Sequence, residues 1–308
     1  MSRPLVIGSR GSKLALWQAE QARASLRLLN PQIDVQIEII KTTGDVKNDP
    51  LSVIGGKGVF TKELEDALLD GRIDIAVHSL KDLPTILPDR LSIAAICERE
   101  DARDALVLRA GSENGSLLHL PEGAVVGTSS QRRLAQLKAL RSDVAVRDLR
   151  GNVDTRIRKL DEGQYDAVIL ASAGLVRLGL QERISARIAI SEMLPAVGQG
   201  AIAIETRRDN KLAVQSASQL DHRETRVACL AERAFLRGLG GGCQFPIAAH
   251  AVLDGDVLKL DGLVAKPDGS QILRDSLSGS ANEAEALGSA LAEQLIQRGA
   301  NTLLSSDD

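Results

Sequence analysis

Gly71-Arg72-Ile73-Asp74-Ile75-Ala76-Val77 is echoed by Gly163-Gln164-Tyr165-Asp166-Ala167-Val168-Ile169, each a turn glycine followed by a short apolar strand. A helical segment leads into each: Gly58-Val59-Phe60-Thr61-Lys62-Glu63-Leu64 opens the first and Gly151-Asn152-Val153-Asp154-Thr155-Arg156-Ile157 the second. Further upstream, Val6-Ile7-Gly8-Ser9 and Val125-Val126-Gly127-Thr128 are strands that end in a polar turn and enter a helix. The same βα units occurring twice predict two similar α/β lobes. Mostly parallel sheets follow, whose ligands gather at the carboxyl ends of strands and at helix amino termini, so the polar turns of the two lobes are expected to face a shared cleft.

Leu194-Pro195-Ala196-Val197-Gly198-Gln199-Gly200 has the composition of a hinge, and the strand after it, Ala201 to Glu205, is expected to return to the first lobe's sheet. Beyond residue 220 the pattern changes to a helix from Thr225 to Arg237 and then apolar strands punctuated by the hairpin signals Asp254-Gly255 and Asp268-Gly269. A last helix, Asn282 to Arg298, stops at Gly299. The expected domains are residues 1–99 with 200–217, residues 105–193, and a smaller α+β domain with an antiparallel sheet at 222–308.

The chain has 308 residues, 44% of them hydrophobic and 26% charged, which is the composition of a globular protein with more than one core. Its 38 basic and 41 acidic residues give a net charge of -3, and only 2% are aromatic, so little is left for gripping phosphate backbones or stacking on bases. No nucleic-acid partner and no membrane partner is expected. The amino terminus runs directly into a strand without an apolar leader, which predicts a cytoplasmic protein, and with no long apolar stripe left over a monomer is expected. Cys97, Cys229 and Cys243 are odd in number and far apart, so they suggest neither a disulfide framework nor a metal site. Cys97 and Cys229 read as small core residues.

The polar turns are basic. Arg10 lies in Ser9-Arg10-Gly11-Ser12, Arg132 and Arg133 follow Gly127-Thr128-Ser129-Ser130, Arg150 and Arg156 flank Gly151, and Arg177 follows Ala173-Gly174-Leu175-Val176. A helix amino terminus offers unpaired N–H groups and a positive dipole end, so serine and arginine there make an anion site. Six such arginines imply a ligand with several carboxylates or phosphates, against the alternative of solvated helix faces. In Asp74-Ile75-Ala76-Val77-His78-Ser79-Leu80-Lys81-Asp82-Leu83-Pro84, a strand delivers Lys81 and Asp82 to its carboxyl end. Asp82 either faces a cationic group or caps local backbone, and His78, alternating with apolar neighbours, reads as a satisfied core histidine. Gly240-Gly241-Gly242-Cys243-Gln244-Phe245-Pro246 either presents a thiol or makes a tight turn. The polar, glycine-rich segment from Thr42 to Phe60 is either a lid or an ordinary surface loop.

Ser9 to Gln18, Gly55-Gly56-Lys57-Gly58, His78 to Pro84, Gly127 to Arg133, Leu149 to Arg156, Leu194 to Gly200 and Gly241-Gly242-Cys243 together, in this order, closely resemble the porphobilinogen deaminase (hydroxymethylbilane synthase) family. The resemblance implies a transferase that condenses four porphobilinogen molecules head to tail, releases an ammonia each time, and frees the linear tetrapyrrole hydroxymethylbilane. It implies a dipyrromethane cofactor joined by a thioether to Cys243, with Lys81, Asp82, Thr128, Ser129, Arg132, Arg133, Arg150 and Gly151 around it. It assigns Arg10, Ser12, Gln18, Lys57, Phe60, Arg150, Arg156 and Arg177 to the incoming substrate or the growing chain. Asp82 is implied as the catalytic residue, accepting pyrrole N–H bonds and stabilising positive charge as ammonia leaves. The fold implied resembles that of type II periplasmic binding proteins, so the rival expectation is an anion binder without catalysis. No metal is expected.

Overall fold

The computed structural model describes residues 3–43, 61–109, 115–242 and 245–304. In chain order, the first stretch forms β1 (Leu5–Ser9), α1 (Lys13–Leu29), β2 (Val35–Ile39), α2 (Lys62–Leu69), β3 (Ile75–Ser79) and β4 (Leu91–Ile96). Next come β5 (Asp104–Leu108), β6 (Val125–Gly127), α3 (Gln131–Leu140), β7 (Ala145–Arg147), α4 (Val153–Asp161), β8 (Ala167–Ala171), α5 (Ser172–Arg177) and β9 (Ala186–Arg187). The remainder gives β10 (Ile202–Arg207), α6 (Lys211–Ser218), α7 (Arg223–Gly238), β11 (Ile247–Asp254), β12 (Val257–Ala265), β13 (Ile272–Ser280), α8 (Ala284–Gln297) and α9 (Ala300–Leu304).

The chain divides into two compact units, Met1–Arg99 with Ala201–Arg226 and Glu100–Gly200 with Val227–Asp308. The first holds a sheet of order β2-β1-β3-β10-β4, and the second a sheet of order β7-β6-β8-β5-β9 together with the three-stranded sheet β11-β12-β13. In each five-stranded sheet the first three strands are parallel, and one strand, β10 or β5, runs antiparallel to both its neighbours. The expectation of mostly parallel sheets therefore holds with one exception in each.

The repeated sequence is a repeated structure. In one copy Asp74 accepts a hydrogen bond from Val6 N at 3.0 Å while its own amide donates to Val6 O at 2.8 Å. In the other, Asp166 accepts from Val125 N at 2.8 Å and donates to Val125 O at 2.9 Å. Each aspartate thus splices the strand it opens onto a parallel neighbour. The glycines before them, at φ 73° and 80°, end α2 and α4 in the same way. Gly71 N reaches Leu68 O and Arg72 N reaches Ala67 O, while Gly163 N reaches Leu160 O and Gln164 N reaches Lys159 O. Both are Schellman stops, which need the left-handed backbone that glycine adopts without strain.

Leu194–Gly200, expected as a hinge, is anchored within the second unit. Leu194 O accepts from Arg132 Nη1 at 2.7 Å, Leu194 N donates to Gln136, Gly198 N donates to Glu232, and Gly200 O accepts from Arg177. Ala201 to Glu205 lies in the first unit's sheet, as expected. Cys229 is fully buried, and Cys97 is partly buried against the first unit's core.

The carboxyl-terminal sheet carries α7 and α8 around Phe235, which is fully buried among Ala231, Leu258, Leu260, Leu291 and Leu295. The helices approach closely at Gly288, where a Cβ would meet the Ala231 carbonyl oxygen, Ala234 Cβ at 2.8 Å and Phe235 N at 2.9 Å. Glycine to alanine inside a helix is ordinarily stabilising by about 1 kcal/mol. At this position backbone atoms block the methyl group, so Gly288→Ala is expected to destabilise by about 1–3 kcal/mol, the usual cost of overpacking. Urea unfolding checks it, and a midpoint at or above the parent's would refute the close packing.

Candidate active site

In the first unit the site residues lie on the turns that follow β1 and β3. Arg10 is half-buried after β1, and Ser12 caps α1 by accepting from Ala15 N at 3.3 Å. A serine hydroxyl fixed on an amide in this way satisfies one of the helix's orphan donors. Gln18, expected to bind substrate, is only 2% exposed, and its Nε2 donates to Ser79 Oγ at 2.9 Å. It therefore clamps the end of β3.

The β3 strand breaks into a short 3-10 turn, Leu80–Asp82. Leu80 N donates to Ala201 O at 3.0 Å and Leu83 N to Leu80 O at 3.1 Å, so the turn is held by β10's approach and by itself. Lys81 is half-buried. Asp82 is exposed, and among the described residues its carboxylate has no hydrogen-bond or ion-pair partner, so it is not the local cap that the sequence left open. His78 is the core histidine expected, with Nε2 at 2.9 Å from Glu205 Oε2.

In the second unit, Thr128 is buried and accepts from Ser130 N at 3.2 Å. Ser129 Oγ donates to Leu149 O at 2.6 Å and accepts from Leu149 N at 3.1 Å, splicing the turn after β6 to the turn after β7. Arg150 Nε donates to Asp148 at 2.6 Å. Burial pushes the Asp148 carboxyl up, but the Arg150 hydrogen bond and the Arg150 and Arg156 charges, with the Ser129 hydroxyl dipole nearby, outweigh it and leave the group lowered. Gly151, at φ 109°, accepts from Arg156 Nε at 2.7 Å, and a Cβ there would press on Thr155.

Arg132, Arg133 and Arg177 sit at the turns where the sequence places them but are turned inward, between 4% and 8% exposed. Arg132 Nη1 and Nη2 donate to Asp104 at 2.7 and 3.2 Å. Arg133 Nε and Nη2 donate to Asp104 Oδ1 at 3.1 and 2.8 Å, and its Nη1 to Ile169 O at 2.9 Å. Gln199 Nε2 donates to the same carboxylate at 2.8 Å. Burial alone would push Asp104 up; the two guanidinium charges and their hydrogen bonds prevail and hold it well below the usual carboxylate range. Two cations on one anion leave an excess positive charge, and Arg132 Nε is buried without a hydrogen-bond partner among the described residues.

Sequence reasoning missed Asp104, Gln136, Gln199 and Glu205. A charge opening or interrupting an apolar strand, as Asp104 and Glu205 do, is the signal that could have found two of them. Lys57, Phe60 and Cys243 lie outside the described residues. Before position 243, α7 ends in another Schellman stop, with Gly240 at φ 65°, Gly240 N on Arg237 O and Gly241 N on Leu236 O.

Two family models match this chain: porphobilinogen deaminase, dipyromethane cofactor binding domain, over residues 5–215, and porphobilinogen deaminase, C-terminal domain, over residues 226–297. The chain belongs to the porphobilinogen deaminase family. Porphobilinogen deaminase of Chromobacterium violaceum is 53% identical to it over 303 residues, 98% of this chain and 97% of that one. Among solved structures, a second substrate-binding domain of a putative amino-acid ABC transporter from Streptococcus pneumoniae is 12% identical, with a TM-score of 0.45, over 77% of this chain and 95% of that one. A probable extracellular-binding protein of an amino-acid ABC transporter from Bacillus subtilis is 11% identical, with a TM-score of 0.42, over 71% and 91%.

Family membership makes the chain a hydroxymethylbilane synthase that uses dipyrromethane, and sets aside the non-catalytic anion binder. Among the described residues no helix is long and apolar enough to cross a membrane, and no cluster could hold a metal ion. The donor set suits a carboxylate-bearing cofactor, because the Asp104 cluster keeps an excess of positive charge and a guanidinium N–H that is unpaired among the described residues.

Asp104→Asn would leave two buried guanidinium groups without their counter-charge, a loss of roughly 3–5 kcal/mol. Because Asp104 is depressed in the folded state, its stabilisation is present above the unfolded carboxyl range and is lost as pH falls through the folded value. The parent should thus outlast Asp104→Asn at neutral pH and the gap should close in strong acid, as followed by thermal unfolding against pH. A gap that stays constant into strong acid would refute the ion-pair account.

Proposed function

We propose that Asp82 is the residue that stabilises charge when porphobilinogen loses ammonia. The observation that carries this is an exposed carboxylate, unpaired among the described residues, on a turn whose backbone is held by its neighbours. As the aminomethyl C–N bond breaks, nitrogen leaves with the bonding pair as ammonia and the pyrrole becomes electron-poor. A carboxylate that accepts the pyrrole N–H bond favours that cationic form, and a preorganised group of this kind contributes typically 10²–10³ in rate.

Dipyrromethane, when bound, supplies a primer with a free α-carbon and several side-chain carboxylates. Cys243 would hold it through a thioether. Arg132, through its unused Nε, and Lys81, Arg150 and the turn of Thr128, Ser129 and Gly151 would bind its carboxylates, with Arg133 sustaining the positive field. Arg10, Ser12, Arg156, Lys57 and Phe60 would serve the substrate. Gln18 and Arg177, both buried, would act by fixing β3 and Gly200 respectively. The three expected parts, residues 1–99 with 200–217, 105–193 and 222–308, would then carry the catalytic aspartate, the arginines and the tether. The reading has no nucleic-acid partner, in accord with the net charge of -3 and 2% aromatic content, and takes the protein as a cytoplasmic monomer.

Two variants and a mass test this. The purified protein should be heavier than its sequence by two linked pyrrole units, and Cys243→Ser should lose that increment while remaining folded. Asp82→Asn should keep the increment yet turn over roughly 10²–10³-fold more slowly. An increment that survives Cys243→Ser would overturn the tether, and parental turnover in Asp82→Asn would overturn the charge-stabilising role.

A further inference from the structure

Strand β3 buries both of its faces. Ile75 and Val77 pack with Ala19 and Ala22 of α1 and with Ile202 and Ile204 of β10. Ala76 faces the other way, onto Leu64, Ala67 and Leu68 of α2. Side chains alternate along a strand, so His78 shares the α2 face with Ala76, and the register, Ala76 opposite Glu205 and His78 opposite Ala203, puts Glu205 on that face too. His78 Nε2 lies 2.9 Å from Glu205 Oε2, with side chains 3% and 0% exposed. Glu65 of α2 is close enough to feel both charges. Glu205 Oε1 and Glu65 Oε1 are buried without a hydrogen-bond partner among the described residues.

Such a cluster is costly for a core that apolar side chains could fill, since buried polar groups left unsatisfied oppose folding. It stands four residues before Asp82. On the α1 face the same strand end is held by Gln18 through Ser79.

We propose that Glu65, His78 and Glu205 form a positioning device for the Asp82 turn, a buried side-chain link that fixes the end of β3 from the face opposite Gln18. None of the three is a catalytic residue. They act through the backbone that runs from His78 into Leu80–Asp82, and the proposal rests on the assignment of charge stabilisation to Asp82. The His78 Nε2–H donates to the Glu205 carboxylate and cross-links β3 to β10 one residue before Ser79. Glu65 sets the charge of the cluster. Burial first, and then the Glu205 charge, push its carboxyl up, while the Thr61 hydroxyl and the His78 charge oppose this. Asp66, on the exposed side of the same helix, also pushes it up. A neutral Glu65 leaves His78 bonded to one anion; an ionised Glu65 adds a second buried negative charge that competes for the imidazole.

The test combines hydrogen exchange with kinetics on the cofactor-loaded protein. Glu205→Gln should speed exchange of the Leu80 and Leu83 amides roughly tenfold and lower kcat by roughly 10–100-fold, with KM nearly unchanged, the cost expected of a misplaced group far from substrate. Parental exchange and kcat would overturn the proposal, and so would faster exchange with parental kcat. If Glu205→Gln fails to fold, Glu65→Gln keeps the His78 bond and removes only the competing charge. It should hold activity to higher pH than the parent, and an unchanged pH profile overturns the proposal. Parental turnover in Asp82→Asn would instead sink the Asp82 assignment, whatever the exchange data show, so the two failures are distinguishable.

Discussion

A single carboxylate, Asp104, holds two guanidinium groups in the dry interior of the second unit, and much of that unit's layout follows from it. Asp104 opens β5, while Arg132 and Arg133 lie in the first turn of α3. Their pairing fixes the angle at which the helix leaves β6. The same carboxylate takes Gln199, and Arg132 takes Leu194 O, so the segment that leads to β10 is tied to the cluster at two points. Gly198 meets Glu232 of α7, and Glu232 also receives Ala251 N of β11 at 2.8 Å. One chain of buried polar contacts thus spans β5, α3, the 194–200 segment and the carboxyl-terminal sheet.

The first unit solves a related problem with weaker charges. Its inserted antiparallel strand, β10, also carries a buried acid, Glu205, and its partner is an imidazole rather than two guanidiniums. The difference matters for what each cluster can do. Arginine stays charged at any accessible pH, so the Asp104 cluster is a permanent positive centre. The Glu205 pair is instead one buried hydrogen bond that joins β3 to β10. A fixed positive field suits the recognition of carboxylates; a short hydrogen bond between two strands suits the support of a turn.

Where local chemistry decided the outcome, it was readable from residues. The two copies of glycine, strand and aspartate were recognisable because a Schellman stop and an aspartate spliced to a neighbouring strand use a few consecutive residues. The antiparallel insertion of β10 and β5 pairs strands far apart in the sequence, which leaves no mark in a ten-residue window. Likewise the arginines of 132–133 were placed at the correct helix terminus, but their inward direction depends on Asp104, 28 residues earlier in the sequence. Gln18, which the family resemblance assigned to the substrate, is the partner of Ser79, 61 positions away. Sequence periodicity locates a side chain on an element; whether a charge on that element meets solvent or a buried partner is settled by elements elsewhere.

This asymmetry bears on the division of labour around Asp82. A carboxylate that must offset transient positive charge works best when its position is fixed but its oxygens are uncommitted, since every hydrogen bond it already makes weakens its pull on a pyrrole N–H. The structure holds the backbone of the turn, and among the described residues nothing pairs with the Asp82 carboxylate. Gln18 grips Ser79, Ala201 O takes Leu80 N, and Leu80 O takes Leu83 N, so the turn is anchored before, within and after Asp82 through other residues. Buried polar groups on both faces of β3 then supply order that, among the described residues, the aspartate does not obtain from its own side-chain contacts: it comes from the strand beneath it.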